Sequence, residues 1–377
     1  MFGIYIHIPF CASRCIYCDF YSTTHQDKAS SYVEALIREM EDRKAELSTQ
    51  DTLRTIYIGG GTPSQLPVEA LRRLVEGLRR HFDLSQVEEF TIEVNPEDVT
   101  PEYAYALAQL PINRVSMGVQ TFVEEELRIL CRRHDAQRPI QAVEWLRKVG
   151  IENISIDLMY GLPSQTLASW QKSISLALSL HVPHLSAYCL SVEEDTRLHR
   201  LLSAGKINVV DEENTLVMAE MLREQLRHAG YEQYEISNYA LPGYHSRHNS
   251  SYWQGIAYLG LGAGAHSYDG KVLRSFNAPD LSSYIAGQRE CEHETLSATD
   301  LYNEMIMLSL RTMWGLDTQA LHKRFVDHPY LIRYFEERLP DLLQRGNVLL
   351  DPATSRLRLT EAGLAMADEV MRDLFYL

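Results

Sequence analysis

The sequence predicts an α/β protein built on a parallel sheet, followed by a smaller C-terminal domain that is helical or winged-helix-like. Two observations lead to this fold class. In the first half of the chain, short apolar or β-branched runs alternate with amphipathic stretches of helical period, the pattern of repeated strand–helix units. Beyond about residue 200 this alternation stops, and from Asp300 the chain is mainly helical.

The predicted strands are short runs that end at Gly, Pro, Asn or Cys. They are Ile4–Ile8, Thr55–Ile58, Phe90–Val94, Arg114–Gly118, Ile154–Met159 and His184–Cys189. The predicted helices between them are Tyr32–Leu47, Glu69–His81, Glu102–Leu110, Pro139–Val149 and Ala168–Leu180. Such units form either an open doubly wound sheet or an incomplete barrel, and in both the active site lies at the C-terminal ends of the strands.

The later part of the chain divides by composition. Residues 1–230, which end in a predicted helix over Asp211–Ala229, form the sheet domain. A connecting region rich in Gly, Tyr and His covers 231–299, and its Gly-Leu-Gly-Ala-Gly run at 260–264 is predicted to be a flexible loop because no strand–helix frame surrounds it. The C-terminal domain covers 300–377 and includes two short strands, Val348–Leu350 and Leu357–Leu359.

Composition limits the function. The net charge of −15 over 377 residues argues against a general nucleic-acid binder, which needs clustered Lys and Arg. The start of the chain lacks the features of a signal peptide, and no apolar run reaches the length of a membrane span, so we expect a cytoplasmic protein without an integral membrane segment. Among its 6 cysteines, three lie within eight residues, a spacing that favours metal binding over disulfides.

The decisive motif is Cys11-Ala-Ser-Arg-Cys15-Ile-Tyr-Cys18, directly after the first predicted strand. Thiolates are the ligands that iron–sulfur clusters select. Three of them can hold three irons of a [4Fe–4S] cluster and leave the fourth iron open to a small molecule. The alternatives are a zinc site, with His7 or His25 as the fourth ligand, and three unrelated buried thiols.

This loop, with Phe10 before it and Tyr17 ahead of the last cysteine, resembles the signature of the radical S-adenosylmethionine (SAM) superfamily. The resemblance implies a partial (βα)6 barrel in which the open iron chelates SAM and the reduced cluster cleaves it to a 5′-deoxyadenosyl radical. Further segments resemble the oxygen-independent coproporphyrinogen III oxidase branch, and within it the HemW-type heme chaperones. They are Tyr5-Ile-His-Ile-Pro-Phe-Cys11, Gly59-Gly-Gly-Thr-Pro63, Glu93-Val-Asn-Pro96, Ser116-Met-Gly-Val-Gln120, Arg132 and Asp157-Leu-Met-Tyr-Gly-Leu-Pro163.

The resemblance also implies site residues. The SAM contacts carried over are Tyr5, Gly60, Gly61, Thr62, Glu93, Gln120, Arg132 and Asp157. His248-Asn249-Ser-Ser-Tyr252-Trp253 matches the HNxxYW motif associated with heme binding, and imidazole is a usual ligand of heme iron. His245 is a second ligand or a bystander. Cys131, Cys189 and Cys291 are interpreted as small apolar residues, with Cys189 the one expected to face the cavity.

One departure bears on function. The coproporphyrinogen oxidases carry another cysteine two residues past the third, where this chain has Phe20, and this chain begins close to the first strand. Both features favour a heme chaperone, which binds heme and transfers it to an acceptor protein. Coproporphyrinogen III dehydrogenase and a radical SAM methylase are the alternatives, and no catalytic residue is assigned. The implied partners are the acceptor, which can be membrane-bound and contacted peripherally, and a flavodoxin or ferredoxin electron donor.

Overall fold

A twelve-stranded sheet dominates the computed structural model, which describes residues 1–46 and 52–377. Its first six strands are parallel and adjacent in chain order. They are β1 Phe2–Ile8, β2 Leu53–Gly60, β3 Glu89–Val94, β4 Arg114–Gln120, β5 Ile154–Tyr160 and β6 His184–Cys189. Every strand predicted for this half lies within an observed one, and the predicted α/β class is confirmed.

Helices cover the outer face of these strands. The helices that precede residue 230 are α1 Ala29–Arg43, α2 Val68–His81, α3 Pro101–Ala108, α4 Glu124–Ile129, α5 Arg138–Lys148, α6 Leu167–Ser179, α7 Arg197–Ser203 and α8 Glu212–His228. The first predicted helix ends earlier than expected, and its predicted last residue, Leu47, lies outside the described residues. α6 begins at a capping box in which the Thr166 hydroxyl accepts a hydrogen bond from the Ser169 N–H (3.1 Å).

The two faces of the sheet have different roles, as β1 illustrates. Ile4, Ile6 and Ile8 are fully buried in the core beneath the helices. Because successive side chains of a strand point to opposite faces, Tyr5 and His7 lie on the inner face. Residues of β2, β3, β4, β5 and β6 line one cavity on that face, so the sheet curves around it.

Residues 231–299, predicted to be a connecting region, extend the sheet at both ends. The added strands are β7 Glu232–Gln233, β8 Asn238–Ala240, β9 Tyr258–Leu261, β10 His266–Tyr268, β11 Leu273–Asn277 and β12 Cys291–Thr295. β8 pairs with β6, and β9 pairs in parallel with β1. The same region holds two short helices, α9 Arg247–Trp253 and α10 Leu281–Ile285.

The prediction of a loop at 260–264 was therefore wrong at its start, because Gly260 is in β9. A Cβ atom on Gly260 would lie 1.9 Å from the carbonyl oxygen of His266. The glycine thus permits β9 to approach β10 closely. Comparison of this segment with nucleotide-binding loops does not reveal that role.

The C-terminal residues form a second hydrophobic core. Its helices and strands are α11 Ala298–Leu310, β13 Leu316–Asp317, α12 Thr318–Arg324, α13 Pro329–Gln344, β14 Val348–Asp351, β15 Arg356–Leu359, α14 Glu361–Ala365 and α15 Ala367–Leu374. The two predicted strands are present, and β13 adds a third that pairs with β15. The domain limits at 230/231 and 299/300 stay predictions.

Candidate functional site

The three clustered cysteines lie together at the C-terminal ends of the parallel strands. Cys11, Cys15 and Cys18 are free thiols that line one cavity of about 440 Å³, called here the cysteine cavity. Thr62 Oγ1 donates to Cys11 Sγ (3.4 Å), and Arg132 Nη1 donates to Cys15 Sγ (3.4 Å). Such donors stabilise thiolates, the form that binds metal.

Burial raises the pKa of the Cys11 thiol, and it raises the pKa of Cys18 to about 11. Within the described ranges, no set of three or more His, Cys, Asp and Glu side chains converges on a point suited to a single metal ion. The thiols instead line the wall of the cavity. Three thiols in the lining of one cavity are a donor set that could hold three irons of a cluster, because each cysteine of a cluster binds a different iron.

Neither histidine considered as a zinc ligand supports a zinc site. Both ring nitrogens of His7 are in hydrogen bonds, Nδ1 with the Tyr5 hydroxyl (3.1 Å) and Nε2 with the Tyr21 carbonyl oxygen (2.9 Å). His25 is exposed and does not line the cysteine cavity.

The glycine turn after β2 brings backbone to the cavity where no side chain fits. Gly60 has φ +111°, and a Cβ atom there would lie 2.6 Å from the His7 ring. A Cβ atom on Gly61 would lie 3.0 Å from Cys11 Sγ. Glycine therefore permits the backbone to approach both the cysteine loop and any ligand in the cavity.

Glu93 is a buried carboxyl between this turn and the neighbouring strand. It accepts hydrogen bonds from the Gly60 N–H (3.0 Å) and from the Tyr57 hydroxyl (2.7 Å). Burial raises the pKa of Glu93 to about 7, and the Asp157 carboxyl adds to the rise. The side chain can therefore change its protonation state near neutral pH, as groups in binding sites commonly do.

Arg132 and Asp157 complete the polar wall. Arg132 Nη2 donates to Asn95 Oδ1 (2.8 Å) and to the Gly118 carbonyl oxygen (2.6 Å), whereas its Nε is buried and has no hydrogen-bond partner among the described residues. Asp157 accepts from the Ser116 hydroxyl (3.3 Å), and burial raises its pKa. A bound polar ligand would satisfy such groups.

The structure brings together nearly all residues predicted to contact SAM. Gly60, Gly61, Thr62, Glu93, Gln120, Arg132 and Asp157 line the cysteine cavity. Gln120 has φ +68°, a strained conformation for a residue with a side chain, at the end of β4. Tyr5 does not line this cavity but a neighbouring one.

Tyr57 was not predicted as a site residue. Its hydroxyl, on β2, donates a hydrogen bond to the Glu93 carboxylate on β3. The signal was present, since Thr55 and Tyr57 are polar-tipped residues two positions apart in the predicted strand Thr55–Ile58, whose other two residues are isoleucine. Such a period of two marks the inner face of a strand.

The neighbouring cavity is larger, about 640 Å³, and mainly aromatic. We call it the aromatic cavity. It lies between the inner face of β1, the end of α9, the strands β10 and β11, and α11. Its ring-bearing lining residues are Tyr5, His7, Phe20, Tyr21, Tyr252, Trp253, Tyr258, His266, Tyr268 and Phe276. Asp19 and Phe20, directly after the cysteine loop, line both cavities.

The HNxxYW motif lies in α9, and only part of it lines the aromatic cavity. Tyr252 and Trp253 line the aromatic cavity, but His248 does not. His248 is fully buried, with Nδ1 hydrogen-bonded to Thr55 Oγ1 (2.9 Å) and Nε2 to the Tyr252 hydroxyl (2.8 Å). Burial lowers the pKa of His248 to about 3. This geometry differs from that expected of a heme ligand, because no ring nitrogen is left for iron.

The other polar residues of the motif region have structural contacts. The Asn249 N–H donates to the hydroxyl of Ser246, the N-cap of α9 (3.3 Å). His245 Nε2 is hydrogen-bonded to Glu232 (3.1 Å), and its ring stacks on Tyr234. His245 is therefore not placed as a second ligand beside His248.

The start of α9 is anchored by a buried carboxylate of β3. Glu89 accepts hydrogen bonds from the N–H groups of Arg247 (2.8 Å) and His248 (2.9 Å) and from the Ser246 hydroxyl (3.3 Å). A carboxylate is favourable at a helix N-terminus because of the helix dipole. α9 is thereby fixed against the N-terminal ends of the parallel strands.

Of the remaining three cysteines, two line the cysteine cavity, although only one was expected to. Cys189 lines the cysteine cavity, and so does Cys131, which was interpreted simply as a small apolar residue. Cys291 lies in β12, away from both cavities.

The chain is similar to known proteins along its whole length. The radical SAM superfamily matches residues 5–177, and the HemN C-terminal domain matches 296–366. The chain is 36% identical over 378 residues to the heme chaperone HemW of Bacillus subtilis (strain 168), covering 98% of each. It is 34% identical to the heme chaperone HemW of Lactococcus lactis, covering 97% of this chain and 95% of the other.

A solved structure shares the fold. Coproporphyrinogen III oxidase (HemN) of Escherichia coli, a radical SAM enzyme, superposes with a TM-score of 0.84 at 24% identity, covering 99% of this chain and 90% of the other. Among the described residues, no helix combines the length and apolar character that crossing a membrane requires.

Proposed function

Because this chain belongs to the HemW family of the radical SAM superfamily, we propose that it is a heme chaperone that binds heme and transfers it to an acceptor protein. The observation that carries the proposal is the pair of adjoining cavities. One is lined by three free cysteines and the other by aromatic rings, and they share Asp19 and Phe20. An aromatic cavity of this kind suits a flat, largely apolar ligand such as a porphyrin.

The first cavity would hold the iron–sulfur cluster and SAM. Cys11, Cys15 and Cys18 are the proposed cluster ligands. When bound, the cluster would supply an electron to SAM. Gly60, Gly61 and Thr62 offer backbone and hydroxyl groups at its edge, as the close approach of this turn to Cys11 supports.

The polar wall of this cavity has three proposed tasks toward SAM. Arg132 would direct its unpartnered Nε to the ligand's carboxylate, Glu93 would accept from its amino group, and Asp157 would accept from its ribose hydroxyls. Gln120 completes the wall. Tyr5 would act indirectly, through its hydrogen bond to His7 beneath the glycine turn.

The cluster ligands can be tested with a matched cysteine control. Cys15→Ser should lower the iron content of anaerobically reconstituted protein by about a third or more, whereas Cys291→Ser should leave it at the wild-type value, because Cys291 lies outside both cavities. Equal iron content in the two variants would contradict the assignment.

The position of Phe20 supports chaperoning over coproporphyrinogen chemistry. Phe20 is 64% exposed, at the rim shared by the two cavities. A phenyl ring there offers a flat contact for heme but has no thiol chemistry. We propose a cytoplasmic location, peripheral contact with a membrane-bound acceptor, and reduction by a flavodoxin or ferredoxin.

The function is tested by heme titration of the reconstituted protein under anaerobic conditions. We expect a saturable Soret band, and transfer of the bound heme when apomyoglobin is added as a model acceptor. Coproporphyrinogen III incubated with the reduced protein and SAM should remain unchanged. Consumption of coproporphyrinogen without heme binding would replace the chaperone proposal with oxidative decarboxylation.

A further inference from the structure

The aromatic cavity contains an imidazole that the sequence motif does not include. His266 begins β10, its side chain is exposed, and it lines the cavity. Its ring stacks on that of Phe276 in β11, with the centroids 5.2 Å apart. Throughout the described part of the chain, no residue forms a hydrogen bond with the ring of His266. Both ring nitrogens are therefore available to a ligand.

Other histidines near the cavity are already engaged. His7 uses both ring nitrogens, with Tyr5 and Tyr21, and His248 uses both of its own, with Thr55 and Tyr252. A ligating imidazole must present a neutral nitrogen with a free lone pair to the metal. Freeing either of these rings would leave buried hydrogen-bonding groups without partners, whereas His266 needs no such rearrangement.

The surroundings of His266 match the two chemical parts of heme. Tyr258, Tyr252 and Trp253 line the cavity with aromatic rings, which suit contact with the macrocycle. Arg274 lines the same cavity, on the strand paired with that of His266, and its guanidinium forms an ion pair with Glu304 (2.7 Å). A guanidinium can bind a propionate carboxylate bidentately. The cavity volume, about 640 Å³, is within the range of roughly 300–1,000 Å³ that proteins use for such ligands.

We propose that His266 would ligate the heme iron, and that the aromatic cavity would hold the porphyrin with a propionate at Arg274. The inference rests on the proposed heme-chaperone function and adds its ligand. Tyr252 and Trp253 of the HNxxYW motif contact the porphyrin, while His248 supports α9 from within the protein. The porphyrin then lies beside Phe20, one residue from Asp19 and two from the cluster ligand Cys18.

The test is ligand rescue in His266→Gly. Reconstituted wild type, His266→Gly and the control His293→Gly are titrated with hemin, following the Soret band and the electron paramagnetic resonance of the ferric heme. His293 is the matched control, because it is an exposed histidine on β12, the strand that pairs with β11, and lies outside the aromatic cavity. Iron–sulfur content and circular dichroism report whether each variant is folded.

We expect His266→Gly to bind hemin at least about tenfold more weakly, a loss of about 1.4 kcal/mol, and to lose the spectrum of histidine-ligated heme. Added imidazole should restore that spectrum, because it fills the space left by the side chain. His293→Gly should behave like wild type. Arg274→Met should weaken binding without changing the ligand spectrum.

The outcomes distinguish the assignment of His266 as heme ligand from the proposed heme-chaperone function on which it rests. If wild type binds no hemin with its cluster intact, the chaperone proposal itself fails. If wild type binds hemin and His266→Gly keeps the same affinity and spectrum, only the assignment of His266 is overturned. His266→Gln provides a second variant that keeps a polar side chain. Its retention of the wild-type spectrum would likewise overturn the assignment.

Discussion

At the scale of single residues, the protonation of Glu93 gives a first prediction, for the pH dependence of SAM binding. The pKa of this carboxyl is raised from its usual 4.5 to about 7, mainly by burial. The sulfonium and amino groups of SAM favour the ionised form. Below pH 7, binding must therefore release a proton, and the affinity should fall by up to about tenfold per pH unit, reaching a plateau above pH 7.

Calorimetric titration of the cluster-loaded protein with SAM, in buffers of different ionisation enthalpy, measures that proton directly. Glu93→Gln should bind SAM more weakly at pH 8 and lose the pH dependence below 7. A Glu93→Gln protein whose affinity still falls below pH 7 would place the titrating group elsewhere.

His248 gives a prediction about stability. Burial lowers its pKa from 6.5 to about 3, so between these values the unfolded chain binds a proton that the folded protein does not. Stability is therefore present above pH 6.5 and is lost as the pH falls. Relative to His248→Gln, wild type should lose about 1.4 kcal/mol of unfolding free energy per pH unit below 6.5. Urea unfolding at pH 7, 6 and 5 checks this. A pH-independent difference between the two proteins would contradict it.

His248 also shows where sequence reasoning about residues reached its limit. Two residues of the motif, Tyr252 and Trp253, line the aromatic cavity, whereas His248 does not. The orientation of an imidazole, however, depends on partners far away in sequence, here Thr55, which is 193 residues from His248. The cysteines were easier to predict because their spacing within one loop is itself the signal.

At the scale of elements, the attachment of α9 depends on one carboxylate. Glu89 is 4% exposed and accepts hydrogen bonds from the first turn of α9. We predict that Glu89→Ala lowers the unfolding free energy by about 2–4 kcal/mol, since the buried N–H groups lose a charged acceptor.

The neighbouring residue provides the control. Glu88 forms exposed ion pairs with Arg54 and Arg247, and exposed pairs contribute little, so Glu88→Ala should cost less than about 1 kcal/mol. Urea unfolding of both variants at one ionic strength measures the difference. Similar losses in the two proteins would show that the buried carboxylate of Glu89 does not anchor α9 more strongly than the exposed carboxylate of Glu88.

Helices and strands were predictable where the hydrophobic pattern in the sequence extended over many residues. The parallel strands and their crossover helices were predicted with ends within a few residues of those observed, because alternating apolar runs and amphipathic periods extend over whole elements. The short strands β7–β12 and the seven-residue helix α9 were not predicted. Strands of two to five residues and a helix of seven residues contain too few alternations or turns to show a period. In addition, β8 and β9 pair with the distant strands β6 and β1.

At the scale of the whole molecule, two hydrophobic cores meet at Arg311. This residue follows α11 of the smaller core, and its guanidinium lies 4.0 Å from the centre of the Trp253 ring and donates to Glu235 (3.3 Å). Arg311→Met should lower stability by about 1–3 kcal/mol and separate the unfolding of the C-terminal core from that of the sheet.

Differential scanning calorimetry tests this coupling: we expect one transition in wild type and two in Arg311→Met. Arg345→Met is the control. Arg345 forms exposed ion pairs with Asp341 of α13 and Asp373 of α15, and all three residues belong to the C-terminal part of the chain. A single transition in Arg311→Met, at the wild-type temperature, would mean that other contacts couple the two cores.

The pairing of β1 with β9 has a consequence for biosynthesis. β1 leads into the cysteine loop, yet one of its two neighbouring strands is Tyr258–Leu261, about 250 residues later in the chain. On the ribosome, at about 5–20 residues per second, the nascent chain therefore carries β1 as an open sheet edge for roughly 10–50 s. During that interval the cysteine loop is accessible from the side that β9 and the aromatic cavity later cover. If the proposed cluster is inserted during synthesis, this interval, before the sheet is complete, is when the loop is open to it.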